Sequence, residues 1–236
     1  SYITGEFTGM LVGAEGSKAY AIYDLKKPLF DTLKNATVKD LDLKNTQVDS
    51  KENAAAVAKT ANNATISNVA VEGKVSGRKS VAGLVVDATN TRIENSSFSG
   101  KLVANHADNN ANYAGGIVGK LTGGNAKVDK SKVDAVISTA ARNNNQTAGG
   151  IAGKLENGAL VTRSVTTGKI LNGRGYSRIG GIVGSTYPRG RVDNVVSNMN
   201  VGDGYATTGD QFGSADVKNA ITYVENKKQD NFVRKV

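Results

Sequence analysis

An internal repeat constrains the fold of this chain more than any other feature. A Gly followed by aliphatic residues recurs, and a β-branched residue that opens a second apolar run follows ten to twelve residues after each copy. Four clear copies are Gly83-Leu84-Val85-Val86, Gly116-Ile117-Val118-Gly119, Gly150-Ile151-Ala152-Gly153 and Gly181-Ile182-Val183-Gly184, and two degenerate ones precede them at Pro28-Leu29-Phe30 and Ala56-Val57-Ala58. The β-branched residues are Val38, Ile66, Ile93, Val128, Val161 and Val192, with separations of 28, 27, 35, 33 and 31 residues. Repeats of this length indicate a solenoid, in which each unit buries its apolar side against the next.

Within each unit the apolar residues recur at even spacing in short runs rich in Val, Ile and Thr, separated by Gly and Asn. This pattern is typical of short strands joined by turns. Two columns of inward side chains are expected: Leu29, Val57, Leu84, Ile117, Ile151 and Ile182, and then Leu33, Ala61, Ala88, Leu121 and Leu155. A third element is a Gly-Lys-aliphatic motif at Gly73, Gly100 and Gly168. The sequence therefore predicts an all-β fold, a right-handed parallel β-helix of about six coils.

The predicted organisation has three parts. Residues 1–27 form N-terminal strands or a cap, with a hairpin over 7–25; residues 28–202 form the β-helix; residues 203–236 form a C-terminal cap or a linker to a following domain. Residues 52–62 are Ala-rich, yet they occupy the first-strand position of the second coil and are predicted to be a strand. Asp216 is predicted to cap a short helix through Ala220, Ile221 and Val224. Asn68, Asn95 and Asn194, two residues after the β-branched position, are predicted to form an internal side-chain ladder.

Composition excludes several classes of function. The chain has no Cys, which excludes disulfides, thiol catalysis, thiolate zinc sites and iron–sulfur clusters. An apolar run near 18 residues is missing, so no transmembrane helix is expected, and a start at Ser1 without a signal segment suggests a piece of a longer protein. The net charge of +9 permits an anionic partner. The basic residues are spread through every coil without the aromatic pattern of an RNA-binding sheet, so no nucleic acid is expected.

The repeat units resemble a known class of bacterial surface sequence. The Gly-Ile-Val-Gly and Gly-Leu-Val units are similar to GLUG repeats, and residues 28–43 are similar to the first coil of such arrays. As a set they resemble the non-catalytic, GLUG-bearing N-terminal region of the IgA1-specific zinc metalloproteases of Gram-positive cocci and their paralogues. The chain has one histidine, His106, and no His-Glu-x-x-His motif. The resemblance therefore implies no catalytic, cofactor or metal site in this chain, and places the zinc in the catalytic domain of the parent protein.

The resemblance implies a function for a module outside the catalytic domain. It would belong to a secreted or wall-attached, extracellular metalloendopeptidase, and would bind or position host immunoglobulin A1 or scaffold the catalytic domain, with other domains of the polypeptide as further partners. One alternative is a surface adhesin or spacer that binds host protein or glycan without any enzyme. Another is a glycan-cleaving β-helix that uses paired carboxylates. Candidate carboxylates are Asp40, Asp87, Asp129, Asp134 and Asp193.

The extra length of the later coils points to a binding surface. It falls at one position of the repeat, in residues 103–112, 139–147 and 171–178, so the three loops are expected on one side of the solenoid. Tyr and Arg are enriched at interface hot spots. The candidate partner-binding residues are Tyr113, Arg142, Arg174, Tyr176 and Arg178 on these loops, with Tyr187, Arg189 and Arg191 close by in sequence. The alternative interpretation is that Asn, Gly and Arg keep exposed loops soluble.

Overall fold

The computed structural model describes residues 1–16, 18–105, 111–140, 146–172, 176–202, 216–222 and 233–235. These residues form strands and no helix. Strands of successive coils pair in parallel, and the stack has about six turns. The predicted parallel β-solenoid is therefore confirmed.

The strands of successive coils build three long faces and, in the later coils, one short sheet. Face one is a seven-stranded sheet in the order β1 (Ile3–Phe7), β5 (Phe30–Lys34), β7 (Ala58–Asn62), β10 (Val85–Thr89), β14 (Val118–Thr122), β18 (Ala152–Glu156) and β22 (Val183–Ser185). Face two contains β2 (Met10–Val12), β11 (Arg92–Glu94), β15 (Lys127–Asp129) and β19 (Leu160–Thr162), together with the first residues of β6 (Thr37–Ser50), β8 (Thr65–Gly77), β23 (Arg191–Asn200) and β24 (Asp216–Thr222).

Face three begins after a corner at which the long strands bend. It contains β4 (Lys18–Tyr23), β12 (Ser97–Asn105), β16 (Lys132–Ala140), β20 (Val165–Asn172), β25 (Val233–Lys235) and the remaining residues of β6, β8, β23 and β24. The short sheet then leads back to face one and contains β9 (Val81–Ala82), β13 (Tyr113–Gly115), β17 (Gln146–Gly149) and β21 (Tyr176–Gly180). The remaining strand, β3 (Ala14–Glu15), pairs antiparallel with β4.

The apolar columns fill the interior of the solenoid. The six predicted β-branched residues pair coil on coil, and Leu11 and Val217 extend their column at its two ends. The column that begins at Leu33 is also in register through Leu155. Because consecutive coils bury the same positions, one continuous core runs along the molecule.

The corner between faces two and three corrects the predicted asparagine ladder. Asn68, Asn95 and Asn194 lie at this corner with exposed side chains and φ values of 53°, 48° and 52°. Asn is favoured there because it tolerates the left-handed conformation that the bend requires. The prediction of an internal Asn ladder is therefore wrong: the spacing located a backbone turn that faces solvent.

The internal polar ladder consists of serines that follow this corner. The hydroxyl of Ser96 accepts a hydrogen bond from the Val69 N–H at 3.2 Å, and Ser164 accepts one from the Ser131 N–H at 3.1 Å. Each hydroxyl also donates to the carbonyl two residues earlier, at 2.8 Å for Ser96 and 2.7 Å for Ser164. These side chains satisfy buried backbone groups where the strand ladder is interrupted.

Two glycine positions are dictated by close approach of neighbouring coils. Gly100 has a φ of 135°, and a Cβ there would overlap the carbonyl oxygen of Gly73. A Cβ at Gly116, the first residue of a Gly-aliphatic unit, would lie 2.6 Å from Cγ2 of Val133 on face three. The repeated Gly thus lets face one approach face three across the interior.

The two ends differ in part from the sequence predictions. Residues 58–62 form β7, so the strand predicted for residues 52–62 is confirmed in the second half of that segment alone. A hairpin exists at β3 and β4, but β1, β2 and β4 also pair in parallel with the next coil and form a layer of their own. The predicted helix after Asp216 is wrong, because these residues form β24, which pairs with β23 from Arg191 to Ser197. The open edge of β23 offers hydrogen bonds that outweigh local helix propensity.

Candidate functional site: the loop side and the short sheet

The three long loops leave and re-enter the solenoid at stacked positions. Where they leave face three, Asn105 pairs with Ala140, and Thr139 pairs with Asn172. Where they return, Tyr113, Thr147 and Arg178 are aligned in the short sheet. Both flanks of every loop therefore lie on one side of the molecule. Arg142 and Arg174, predicted on these loops, lie outside the described residues; Tyr176 is the first residue of β21.

A buried polar ladder holds the returning ends of the first two loops, residues 103–112 and 139–147. The Asn53 amide oxygen accepts a hydrogen bond from the Ser80 N–H at 3.1 Å, and the Ser80 hydroxyl accepts one from the Tyr113 N–H at 3.0 Å. In the next coils the Gln146 side-chain oxygen accepts from the Asn112 N–H at 3.1 Å. Ser80, Asn112 and Gln146 are buried. Breaking such a bond would leave a buried group unsatisfied, so the ladder fixes the bases of the loops.

Tyr113 lies on the outer surface of face one, at the rim of the short sheet. Nζ of Lys120 and Nζ of Lys154 each lie 5.8 Å from the centroid of its ring. The ring fits there because Gly153 lies beneath it, where a Cβ would be 2.8 Å from that of Tyr113. Burial raises the pKa of the Tyr113 phenol above its usual value, although the positive charge of Lys120 opposes this effect. The two ammonium groups are close enough to the half-buried ring for cation–π contact.

The lysines beside Tyr113 also contact carboxylates. Nζ of Lys120 lies 3.7 Å from a carboxylate oxygen of Asp87, and Lys154 forms an ion pair with Glu156. Burial raises the pKa of Asp87, even though Lys120 favours its ionised form. The sequence analysis did not single out Lys120 or Lys154. The repeated Gly-Lys-Leu motif at positions 119–121 and 153–155 was the signal for them.

Tyr187, Arg189 and Arg191 lie at a different corner, between faces one and two. Tyr187 is 56% exposed, and the bond between Tyr187 and Pro188 is cis. Arg189 has a φ of 56°, and its carbonyl accepts the Gly158 N–H at 3.0 Å. The Arg191 guanidinium donates to the Gly158 carbonyl at 3.0 and 2.8 Å. These residues follow strand β22, whereas Tyr113, Tyr176 and Arg178 lie in the short sheet, so the two groups of predicted residues lie on different elements.

The candidate carboxylates are distributed over several faces. Asp87 lies on face one, Asp134 on face three and Asp40 at the corner between faces two and three. Asp129 and Asp193 both lie on face two, two coils apart, each aligned with Thr162. Burial alone would raise the pKa of Asp129, but hydrogen bonds from Arg163 and Lys127 outweigh it and lower the pKa to about 2. A carboxylate held ionised in this way is a poor general acid.

The described residues contain no group of three or more side chains that could hold a metal ion. His106 lies outside that part of the chain. A site of the His-Glu-x-x-His type needs two histidines, and this sequence supplies one, so its residues do not fit the catalytic zinc. In the described ranges, no helix is present that is long and apolar enough to cross a membrane.

Comparison with known proteins finds similarity to parts of bacterial metalloproteases. The model of the M26 IgA1-specific metallo-endopeptidase N-terminal region matches residues 1–73. Zinc metalloprotease ZmpC of Streptococcus pneumoniae is 68% identical over the whole chain, and an immunoglobulin A1 protease of Streptococcus sanguinis is 42% identical over 96% of it. The chain spans 13% of each of these proteins.

The fold agrees with the sequence comparison. A solved IgA1 protease structure matches with a TM-score of 0.88 and 36% identity, and the match covers 95% of this chain and 18% of that one. By sequence and by fold, the chain is a relative of the N-terminal region of the M26 IgA1-specific metallo-endopeptidases and of the zinc metalloproteases similar to them.

Proposed function

We propose that this chain is a non-catalytic module of a zinc metalloendopeptidase that is secreted by, or attached to the wall of, a Gram-positive bacterium. Its role is to bind or position a large protein substrate for a catalytic domain elsewhere in the polypeptide. Immunoglobulin A1 is the candidate substrate, because relatives 42% and 38% identical to nearly the whole chain are named for its cleavage.

The observation that carries this proposal is the fixed base of the loop side. The first two loops return to the solenoid at positions held by the buried ladder of Ser80, Asn112 and Gln146. Loops presented from a rigid base lose less conformational entropy on binding than loops on a flexible one. Binding energy obtained far from the scissile bond can then be used to position the substrate in the active site.

Tyr113 and Arg178 are the described residues that we assign to contact with the substrate. Arg178 is aligned with Tyr113 across Thr147, and its positive charge acts on the Tyr113 phenol. Lys120 and Lys154 lie at the same rim, each beside a carboxylate. The rim therefore offers a polar partner segment both charged groups and the aromatic and Arg anchors that are enriched at interfaces.

Calorimetric titration with intact IgA1 at two salt concentrations tests the proposal, with IgA2 in parallel. Saturable binding to IgA1 is expected, weaker at high salt because cationic groups take part. Tyr113→Ala and Arg178→Ala should each reduce the affinity by about tenfold or more. Tyr187→Ala is the matched control, because Tyr187 is an exposed Tyr at another corner. Absence of binding by the unmodified chain would reject substrate positioning and favour a scaffold for the catalytic domain.

A further inference from the structure

The first layer of the solenoid leaves the core open at one end. Strands β1, β2 and β4 form this layer. Phe7 pairs with Leu33, Leu11 with Val38 and Ile22 with Leu43, so the layer continues three interior columns. The three residues of the layer are half-buried, whereas their three partners are fully buried. Among the described residues, no strand pairs with the other side of β1 or β2, and β3 pairs only with the first two residues of β4.

Exposed apolar side chains surround this open end. Of the eight large hydrophobic residues that are exposed in the described part of the chain, six lie within the first 23 residues. They are Tyr2 (55%), Ile3 (43%), Met10 (64%), Val12 (40%), Tyr20 (41%) and Tyr23 (62%). Terminal units of solenoid proteins normally have a polar outer face that keeps them soluble. This layer instead has the character of an interior one, so a further layer is expected on it.

The charge of this segment and the direction of its strands indicate which kind of ligand can bind the open end. Residues 1–27 contain three acidic and three basic side chains, so this segment is neutral in a chain of net charge +9. A charged ligand is therefore not favoured, and a neutral, apolar one is. Strands β1, β2 and β4 are parallel to their neighbours in the next coil. The outer edges of β1, of β2 and of β4 beyond Tyr20 are open in the described part of the chain and can pair with an extended segment. A second copy related by a two-fold axis would bring its strands in antiparallel.

We infer that this end is the binding surface for another extended segment of the same polypeptide, outside these 236 residues. The chain spans 13% of ZmpC and 18% of the solved IgA1 protease, so most of such a polypeptide lies elsewhere. The segment adds one more parallel layer on β1, β2 and β4. Its apolar side chains, at alternate positions, cover Phe7, Leu11 and Ile22.

The two methionines of the chain provide an internal test. Met10 is 64% exposed at the open end, and Met199 is fully buried in the core. In the 236-residue chain alone, dilute peroxide should oxidise Met10 rapidly and Met199 slowly, as measured by mass spectrometry. In the complete polypeptide, Met10 oxidation should be slower by about tenfold or more, while Met199 stays protected. Equal Met10 oxidation rates in both would overturn the inference.

Two further measurements separate the possible occupants. Protection of Met10 in the isolated chain that grows with concentration, together with a dimer mass, would make a second copy the occupant and reject a segment of the same polypeptide. Met10 protection in the complete polypeptide without slower amide exchange in β1 and β2 would reject an added strand.

A substitution at the open end tests the same inference. Val12→Lys should lower the Tm of the complete polypeptide by several degrees and that of the isolated chain little, whereas the control Tyr187→Lys should change neither Tm. Equal effects of Val12→Lys in both would also contradict the inference.

Discussion

At the residue scale, the serines behind the corner stabilise the fold through single hydrogen bonds. Ser164 is buried, and its hydroxyl accepts the Ser131 N–H and donates to the Thr162 carbonyl. Ser164→Ala should lower the free energy of unfolding by about 1–3 kcal/mol, because a buried N–H is left without an acceptor. The exposed Ser99 on the same face is the control, and Ser99→Ala should cost less than about 0.5 kcal/mol. Urea unfolding measures both, and equal losses would contradict the ladder.

Asp129 gives the stability of the molecule a defined pH dependence. Its folded pKa of about 2 lies below the ordinary value of 3.8, so its contribution is present above pH 4 and is lost as the pH falls towards 2. Asp129→Asn should therefore lower the free energy of unfolding by about 1–2 kcal/mol at neutral pH, after allowance for the exposed Arg163 partner. The difference from the unmodified chain should shrink between pH 4 and pH 2. The exposed Asp49 serves as control, and a constant difference for Asp129→Asn would exclude the ion pair as the cause.

At the element scale, the Gly-aliphatic turn depends on the absence of a side chain. A Cβ at Gly116 would meet both the Val133 side chain and the Gly150 carbonyl. Gly116→Ala should destabilise the chain by about 1–3 kcal/mol, or a few degrees in Tm. Adding Val133→Ala should not restore the Tm, because the overlap with backbone remains. Gly124 has open space around its Cβ position, so Gly124→Ala should leave the Tm nearly unchanged. Full rescue by Val133→Ala would show that only side-chain packing matters.

The same elements show which structure can be predicted from the sequence. The column from Val38 to Val192 could be found because each coil buries the same position, and burial leaves a periodic apolar signal. The corner asparagines recur in the sequence just as regularly. Regular spacing alone, however, does not distinguish a polar side chain that faces inward from one that marks a left-handed turn. Strand β24 was missed because its pairing with β23 is a tertiary contact that local helix propensity does not report.

The candidate site could be predicted only in part, because the spacing of the motifs reports the position within a repeat but not the corner of the coil. The stacking of the loop flanks follows from insertions at one repeat position, which the spacing of the motifs reveals. The spacing of the motifs does not reveal that Tyr113 and Tyr187 lie on different elements. That difference depends on which corner of the coil each residue occupies. Nearness in sequence is a poor guide in a solenoid, where residues one coil apart are closer than residues on successive faces.

At the scale of the whole molecule, stability should vary along the solenoid axis. Each coil is stabilised by its two neighbours, and β14 pairs with both β10 and β18, whereas β1 pairs with β5 alone among the described strands. In such a stack the ends open at a lower free energy than the middle. Amide hydrogen exchange of the 236-residue chain should therefore be slower in β14 than in β1 by about a hundredfold or more. Uniform exchange would mean that the chain opens as one cooperative unit and that its open end is already stabilised, which would weaken the case for a further layer upon it.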